Sequence, residues 1–113
     1  MNECLFCSLV EKKLPSDMVF EDSECIAFRD INPKAPVHIL IVPKRHIASL
    51  AAAKVDDSAL LGRLLYRAKL IAEQEGIDAS GYKVIVNTGR HGGQVVDHLH
   101  LHVLGGQPVQ SIV

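Results

Sequence analysis

The sequence predicts an α+β fold: a five-stranded antiparallel sheet with two helices packed on one face. Three observations lead there. Five short β-prone runs cover Met18 to Glu21, Cys25 to Arg29, Val37 to Val42, Tyr82 to Asn87 and His98 to Leu104. A single long helical period lies between the third and fourth runs, and the remaining connections read as hairpins and loops instead of regular βαβ crossovers.

Each element has a local reason. Asn2 is placed to cap a short helix in which Leu5, Phe6, Leu9 and Val10 recur at helical spacing, and Pro15 lies beyond its last charged turn. Asp22-Ser23-Glu24 has turn composition and joins the first two strands as a hairpin. The stretch from Asp30 to Pro36 carries Pro33 and Pro36, which suit neither a helix interior nor a central strand, so it is a loop. Val37 to Val42 is apolar almost throughout, as in a strand buried on both faces, and Pro43 closes it. With Asp56 or Asp57 as N-cap, Leu60, Leu61, Leu64, Leu65, Ala68, Ile71 and Ala72 trace one helical face that ends at Glu75 before Gly76. The last two strands flank the glycine-bearing loop from Thr88 to Gln94.

Composition bounds the rest. A chain of 113 residues is long enough to bury roughly two-thirds of its unfolded surface and too short for two cores, so one domain spanning residues 1–113 is expected. Twelve Lys and Arg against thirteen Asp and Glu leave a net charge of -1 with both signs interspersed, which gives no electrostatic basis for binding nucleic acid or an anionic membrane. At 48% hydrophobic the chain is too apolar for disorder, and no apolar run approaches the ~20 residues of a spanning helix. Its first residues lack the pattern of a secretory signal, so a cytosolic location without disulfides is expected. The unusual count is histidine: six in all, four of them between His91 and His102.

His98-Leu99-His100-Leu101-His102-Val103-Leu104 alternates strictly. Side chains at i, i+2 and i+4 of a strand share a face, so three imidazoles line one side while Leu99, Leu101 and Val103 enter the core. A lone histidine there would read as a solvated strand residue. Three in alternation point to chemistry, because neutral imidazole is a nucleophile, a proton carrier and a metal ligand near neutral pH. Gly92-Gly93-Gln94 precedes the strand, and consecutive glycines let backbone N–H groups converge on an anion, so a phosphate beside the imidazoles is expected.

These residues, together with Leu14-Pro15-Ser16, Phe20-Glu21-Asp22, Ala27 to Ile31, Ala35 to His38, Val42-Pro43-Lys44, Asn87 and Leu104-Gly105-Gly106, resemble the histidine-triad (HIT) family over almost the whole chain, in particular its nucleotide-binding, phosphoramidate-cleaving branch. The resemblance implies a HIT-like fold whose sheet extends across a two-fold homodimer through the long helix and the Tyr82 to Asn87 strand. It implies hydrolysis of P–N bonds in adenosine and guanosine 5′-monophosphoramidates, aminoacyl-adenylates among the candidate substrates, through a nucleotidyl-histidine intermediate. His100 would be the nucleophile, and His102 would contact phosphate and assist proton transfer to the leaving amine. Asn87 and the backbone of Gly93, Gln94 and Val95 would hold phosphate oxygens. Asp30 would accept from the ribose hydroxyls, with Phe6, Leu14, Phe28 and Ile31 walling the purine.

Two departures from the family pattern stand out. Val95 occupies a position where serine is common, which leaves only its backbone N–H for phosphate. The tail from Gln107 to Val113 lacks the aromatic, proline-rich ending of eukaryotic relatives, and that bears on preference for the amine side of the substrate.

Cys4-Leu5-Phe6-Cys7 is a C-x-x-C, which in a reducing compartment reads as zinc or redox chemistry; no βαβ context supports a thioredoxin-like role. The resemblance supplies the other two ligands, His46 and His98, and so implies a structural zinc with no organic cofactor. Cys25, His38 and His91 are expected to be structural or solvated. Two competing readings are a nucleotide-binding regulatory protein with incidental hydrolysis, and a metal-dependent hydrolase with His98, His100 and His102 as zinc ligands.

Overall fold

The computed structural model describes residues 4–110, so the cap expected from Asn2 lies outside the described residues. Helix α1 (Leu5–Val10) begins instead at Cys4, whose Sγ accepts the Cys7 N–H at 3.4 Å. Strands β1 (Met18–Glu21) and β2 (Cys25–Arg29) form the expected hairpin. Its turn is held by one carboxylate oxygen of Asp22, which accepts the N–H of Glu24 at 2.8 Å and of Cys25 at 2.9 Å, so the side chain does the work of a turn backbone.

Strand β3 (Val37–Pro43) runs one residue past the expected end, and Pro43 still pairs in register with Cys25. Two short 3-10 turns, Leu50–Ala52 and Val55–Asp57, lead into α2 (Ser58–Gln74). Asp57 occupies the N-cap position, but its carboxylate does not cap the helix. It turns back to the Lys54 N–H at 2.8 Å and to the Arg45 guanidinium. At the other end, Ile77 N–H reaches Ala72 O at 3.0 Å and Gly76 N–H reaches Glu73 O at 3.1 Å. This Schellman closure needs the left-handed φ of 74° that glycine supplies at position 76.

The sheet has the order β1-β2-β3-β5-β4, with every neighbouring pair antiparallel. Strand β4 (Tyr82–Ile85) is shorter than the predicted run to Asn87, and β5 (Leu101–Gly105) starts three residues later than predicted. The two helices do not share a face. On one side Leu64, Ala68, Ile71 and Ala72 of α2 pack on Ala27, Ile39, Ile41, Leu101 and Val103. On the other, Phe6 and Leu9 of α1 pack on Ile26, Phe28, Leu40 and Val42. β2 and β3 are both apolar and buried at nearly every position, and that is the reason, since a strand buried on both faces requires cover on both. Leu65, expected on the buried stripe, is exposed beside Tyr66. Among the described residues no helix is long and apolar enough to cross a membrane.

Candidate active site

The triad lies on the α1 face, where β5 emerges from the loop that follows β4. Leu99, Leu101 and Val103 are sunk in the α2 core, so His98, His100 and His102 are turned to the opposite side. The regular strand begins only at Leu101; His98 and His100 precede it and are held by bonds outside the ladder. The three imidazoles consequently serve three different environments, although their spacing is uniform.

His100 is buried, and its Nδ1 lies 2.7 Å from the carbonyl oxygen of His98. A carbonyl only accepts, so Nδ1 carries the proton and Nε2 is left with a lone pair. The edge of the Phe6 ring meets this imidazole with centroids 4.9 Å apart. His102 has the opposite assignment. The backbone N–H of Lys34 donates to His38 Nδ1 at 3.0 Å, which places the His38 proton on Nε2. That Nε2 lies 2.9 Å from His102 Nδ1 and 3.4 Å from Asp30 Oδ2. His102 therefore accepts at Nδ1 and carries its proton on Nε2. His38, expected to be a bystander, links Asp30 to His102. Its position inside an apolar run hid that role, and the one available signal was a histidine two residues after Pro36 on the same side as the later His102.

His98 is fully buried and makes no contribution to that pair. Its Nε2 donates to Pro43 O at 2.8 Å, leaving the Nδ1 lone pair directed at Cys4 Sγ (3.3 Å), Cys7 Sγ (3.5 Å) and His46 Nδ1 (3.1 Å). His46 Nδ1 is 3.3 Å from Cys7 Sγ. A tetrahedral zinc with bonds of about 2.0–2.1 Å to nitrogen and about 2.3 Å to sulfur has N···N edges of about 3.3 Å and N···S edges of about 3.6 Å. The four donor atoms fit such a shell, and all four expected ligands are brought together. The same geometry argues against one metal held by the three triad histidines, since each of their Nδ1 atoms has a different partner.

The remaining candidates divide. Asn87 Nδ2 donates to Gly92 O at 2.7 Å, and Gln94 ties Gly89 N, Ala48 O and Val96 O together, so both side chains brace the loop that contains Gly93. A Cβ at Gly92 would lie 2.3 Å from Thr88 O, so the loop closes only with glycine there. Phe28 meets Phe6 edge-on at 5.7 Å, whereas Ile31 and Val95 are almost fully exposed and Leu14 borders a separate cleft with Lys12 and Met18. Cys25 is buried in β2, and burial pushes its thiol up to about 12, so it is inert packing; His91 is exposed in the loop.

Burial is also the leading influence on His38, His98 and His102. It pulls His38 and His98 below their ordinary value, and it takes His102, with His100 and His38 as like-charged neighbours against the opposing Asp30 carboxylate, down to about 4. The unfolded chain thus takes up this proton first as pH falls from 6.5, so the contribution of neutral His102 to stability is complete above 6.5 and is lost toward pH 4. The melting temperature is expected to fall across that window, and less steeply in His102→Gln. Equal slopes in the two proteins would place the proton uptake elsewhere.

Comparison with known proteins agrees with this fold. The HIT domain profile matches residues 11–109. The chain is 47% identical over 107 residues to the purine nucleoside phosphoramidase of Escherichia coli, covering 95% of this chain and 90% of that one. A HIT family hydrolase from Legionella pneumophila superposes with a TM-score of 0.92 at 48% identity, covering 94% and 95% of the two chains. A zinc-bound histidine triad protein from Mycobacterium smegmatis superposes at 0.78 with 28% identity, covering 93% and 76%. With its triad, its sheet and this similarity along nearly its full length, the chain belongs to the HIT family.

Proposed function

We propose that this HIT-family chain is a hydrolase of P–N bonds in purine nucleoside 5′-monophosphoramidates, AMP and GMP derivatives, acting through a nucleotide bound to His100, with aminoacyl-adenylates, which would be cleaved at their P–O bond with the carboxylate leaving, as further candidates. The observation that carries the reading is the complementary pair of tautomers. His100 offers a lone pair and His102 offers an N–H, with ring centroids 5.0 Å apart. A nucleophile and a proton donor side by side are what displacement of an amine from phosphorus requires.

In the first step His100 Nε2 bonds to the α-phosphorus and the P–N bond breaks. The departing amine takes the proton from His102 Nε2, while His38 Nε2–H supports the charge left on His102. In the second step water attacks phosphorus, its proton returns to His102, and His100 leaves as the neutral imidazole. The loop braced by Asn87 and Gln94 would offer the Val95 N–H to a phosphate oxygen, where a fixed donor stabilises developing charge, while the N–H groups of Gly93 and Gln94, which donate to Arg90 O at 3.1 Å and Gly89 O at 3.0 Å, would join it only by exchanging those partners. Asp30 serves the ribose from one carboxylate oxygen and the His38 contact from the other. Phe6 and Phe28 form one wall of the base site, and exposed Ile31 would be covered by the bound base, whereas Leu14, on its separate cleft with Lys12 and Met18, is left out of it.

Cys4, Cys7, His46 and His98 are assigned to a zinc whose four protein ligands leave no open position for substrate, so it supplies cross-linking and no bond-making chemistry. Exposed Tyr82 on edge strand β4 and Val86 just beyond its end, with Leu65 and Tyr66 on α2, support pairing of two copies through these elements into one continuous sheet.

With adenosine 5′-phosphoramidate the protein is expected to release AMP and His100→Ala to lose that activity by at least ~1,000-fold. Unchanged release by the variant overturns the covalent role, and tight AMP binding without turnover favours a nucleotide-responsive binding protein. Protein purified without added metal should carry close to one zinc per chain by elemental analysis; its absence removes the assignment. Light scattering should give twice the 12.3 kDa of one chain, and a particle of one chain's mass contradicts the pairing.

A further inference from the structure

The thiol and imidazole cluster and the nucleophile are joined through a single peptide unit. Between His98 and Leu99, the carbonyl oxygen receives the His100 Nδ1–H at 2.7 Å. The N–H of that same unit donates to Ile47 O at 2.6 Å. Each end thus leads to a member of the cluster, since His98 contributes its ring and Ile47 directly follows His46. His98 is further locked by its backbone N–H to Val96 O and its Nε2 to Pro43 O, both 2.8 Å. A third connection runs through α1. Cys4 caps that helix, and Phe6 sets its ring edge against His100.

A peptide plane that tilts carries its carbonyl away from Nδ1, and an imidazole released there can turn the wrong nitrogen toward phosphorus. Misplacement of a reacting group by ~1 Å costs on the order of 100-fold in rate. We propose that Cys4, Cys7, His46 and His98, closed around a divalent metal, are positioning residues for the nucleophile, so that a metal held through the His98 ring decides whether His100 Nε2 is aimed at the substrate. This rests on the reading of His100 as nucleophile and deepens it into regulation of that site by metal. Phe28 on β2 and Asp30 just beyond it belong to the sheet side of the site, whereas Phe6 lies on α1 between Cys4 and Cys7 and meets the His98 ring with centroids 6.0 Å apart. Loss of the metal therefore loosens one wall of the base site but leaves Phe28 and Asp30 in place, and impairs the covalent step more than nucleotide binding.

The test compares the zinc-loaded chain, the chelated chain, the chain reloaded with zinc or cobalt, and zinc-loaded His98→Cys, which keeps four donors but loses the ring and its bond to Pro43. One readout is the ¹H–¹⁵N signal of the His100 Nδ1–H. Others are the burst rate of amine release and the AMP affinity by calorimetry. Chelation is expected to abolish the Nδ1–H signal and slow the burst by at least about tenfold, with AMP affinity changed by less than about threefold. Reloading restores both, and His98→Cys behaves as the stripped chain does while retaining its metal. A stripped, folded chain that keeps the signal and the burst overturns the proposal. If stripping unfolds the chain, loaded His98→Cys with the signal and burst of the parent overturns it equally. Loaded His100→Ala that still releases amine at the parent's rate would instead overturn the nucleophile reading, and the metal dependence of the Nδ1–H signal in the parent would still decide the coupling.

Discussion

Everything at this site depends on the anchoring of Leu99, Leu101 and Val103 in the core beneath α2. Because side chains alternate along an extended chain, sinking those three residues commits His98, His100 and His102 to the other face. A slip of one residue would exchange imidazoles for leucines on both sides, so hydrophobic burial on one face enforces the register that the chemistry on the other requires.

Uniform spacing does not produce uniform roles. What separates the three histidines is the acceptor or donor each meets: the Pro43 carbonyl for His98, the His98 carbonyl for His100 and the His38 ring for His102. Each partner selects a tautomer, and burial keeps His38, His98 and His102 toward the neutral form on which those tautomers depend. The nucleotide proposed as substrate would then be met by backbone N–H groups and neutral rings, which agrees with a chain of net charge -1.

Helix α1 illustrates how little local propensity contributes. Six residues with no acidic group in the first turn and no basic one in the last form a marginal helix in isolation. Burial of Phe6 and Leu9 and the convergence of Cys4 and Cys7 on His46 and His98 hold it against the sheet. A short element kept in place by tertiary contacts thereby carries one wall of the site.

Periodicity and turn chemistry made most of the fold legible. The hairpin at Asp22, the helix stop at Gly76, the strand run from Val37 and the facing of the triad all follow from neighbours a few residues apart, and so does the chemical promise of alternating histidines. The C-x-x-C also announced itself, although its partners at His46 and His98 came from family resemblance instead of local pattern. Three features required the tertiary structure. The helices cover opposite faces because β2 and β3 are apolar on both sides, a demand that no single segment expresses. The division of the triad depends on the Pro43 carbonyl for His98 and the His38 ring for His102, both remote in the chain, and on the His98 carbonyl turned toward His100, so spacing could not reveal it. His38 joins Asp30 to His102 only because β3 pairs with β5 and sets Leu40 opposite His102, and a contact across 64 positions leaves no trace in the residues beside it. The sequence by itself determined which side chains share a face; long-range pairing decided what each one touches, and hydrogen-bond partners are what turn identical imidazoles into different reagents.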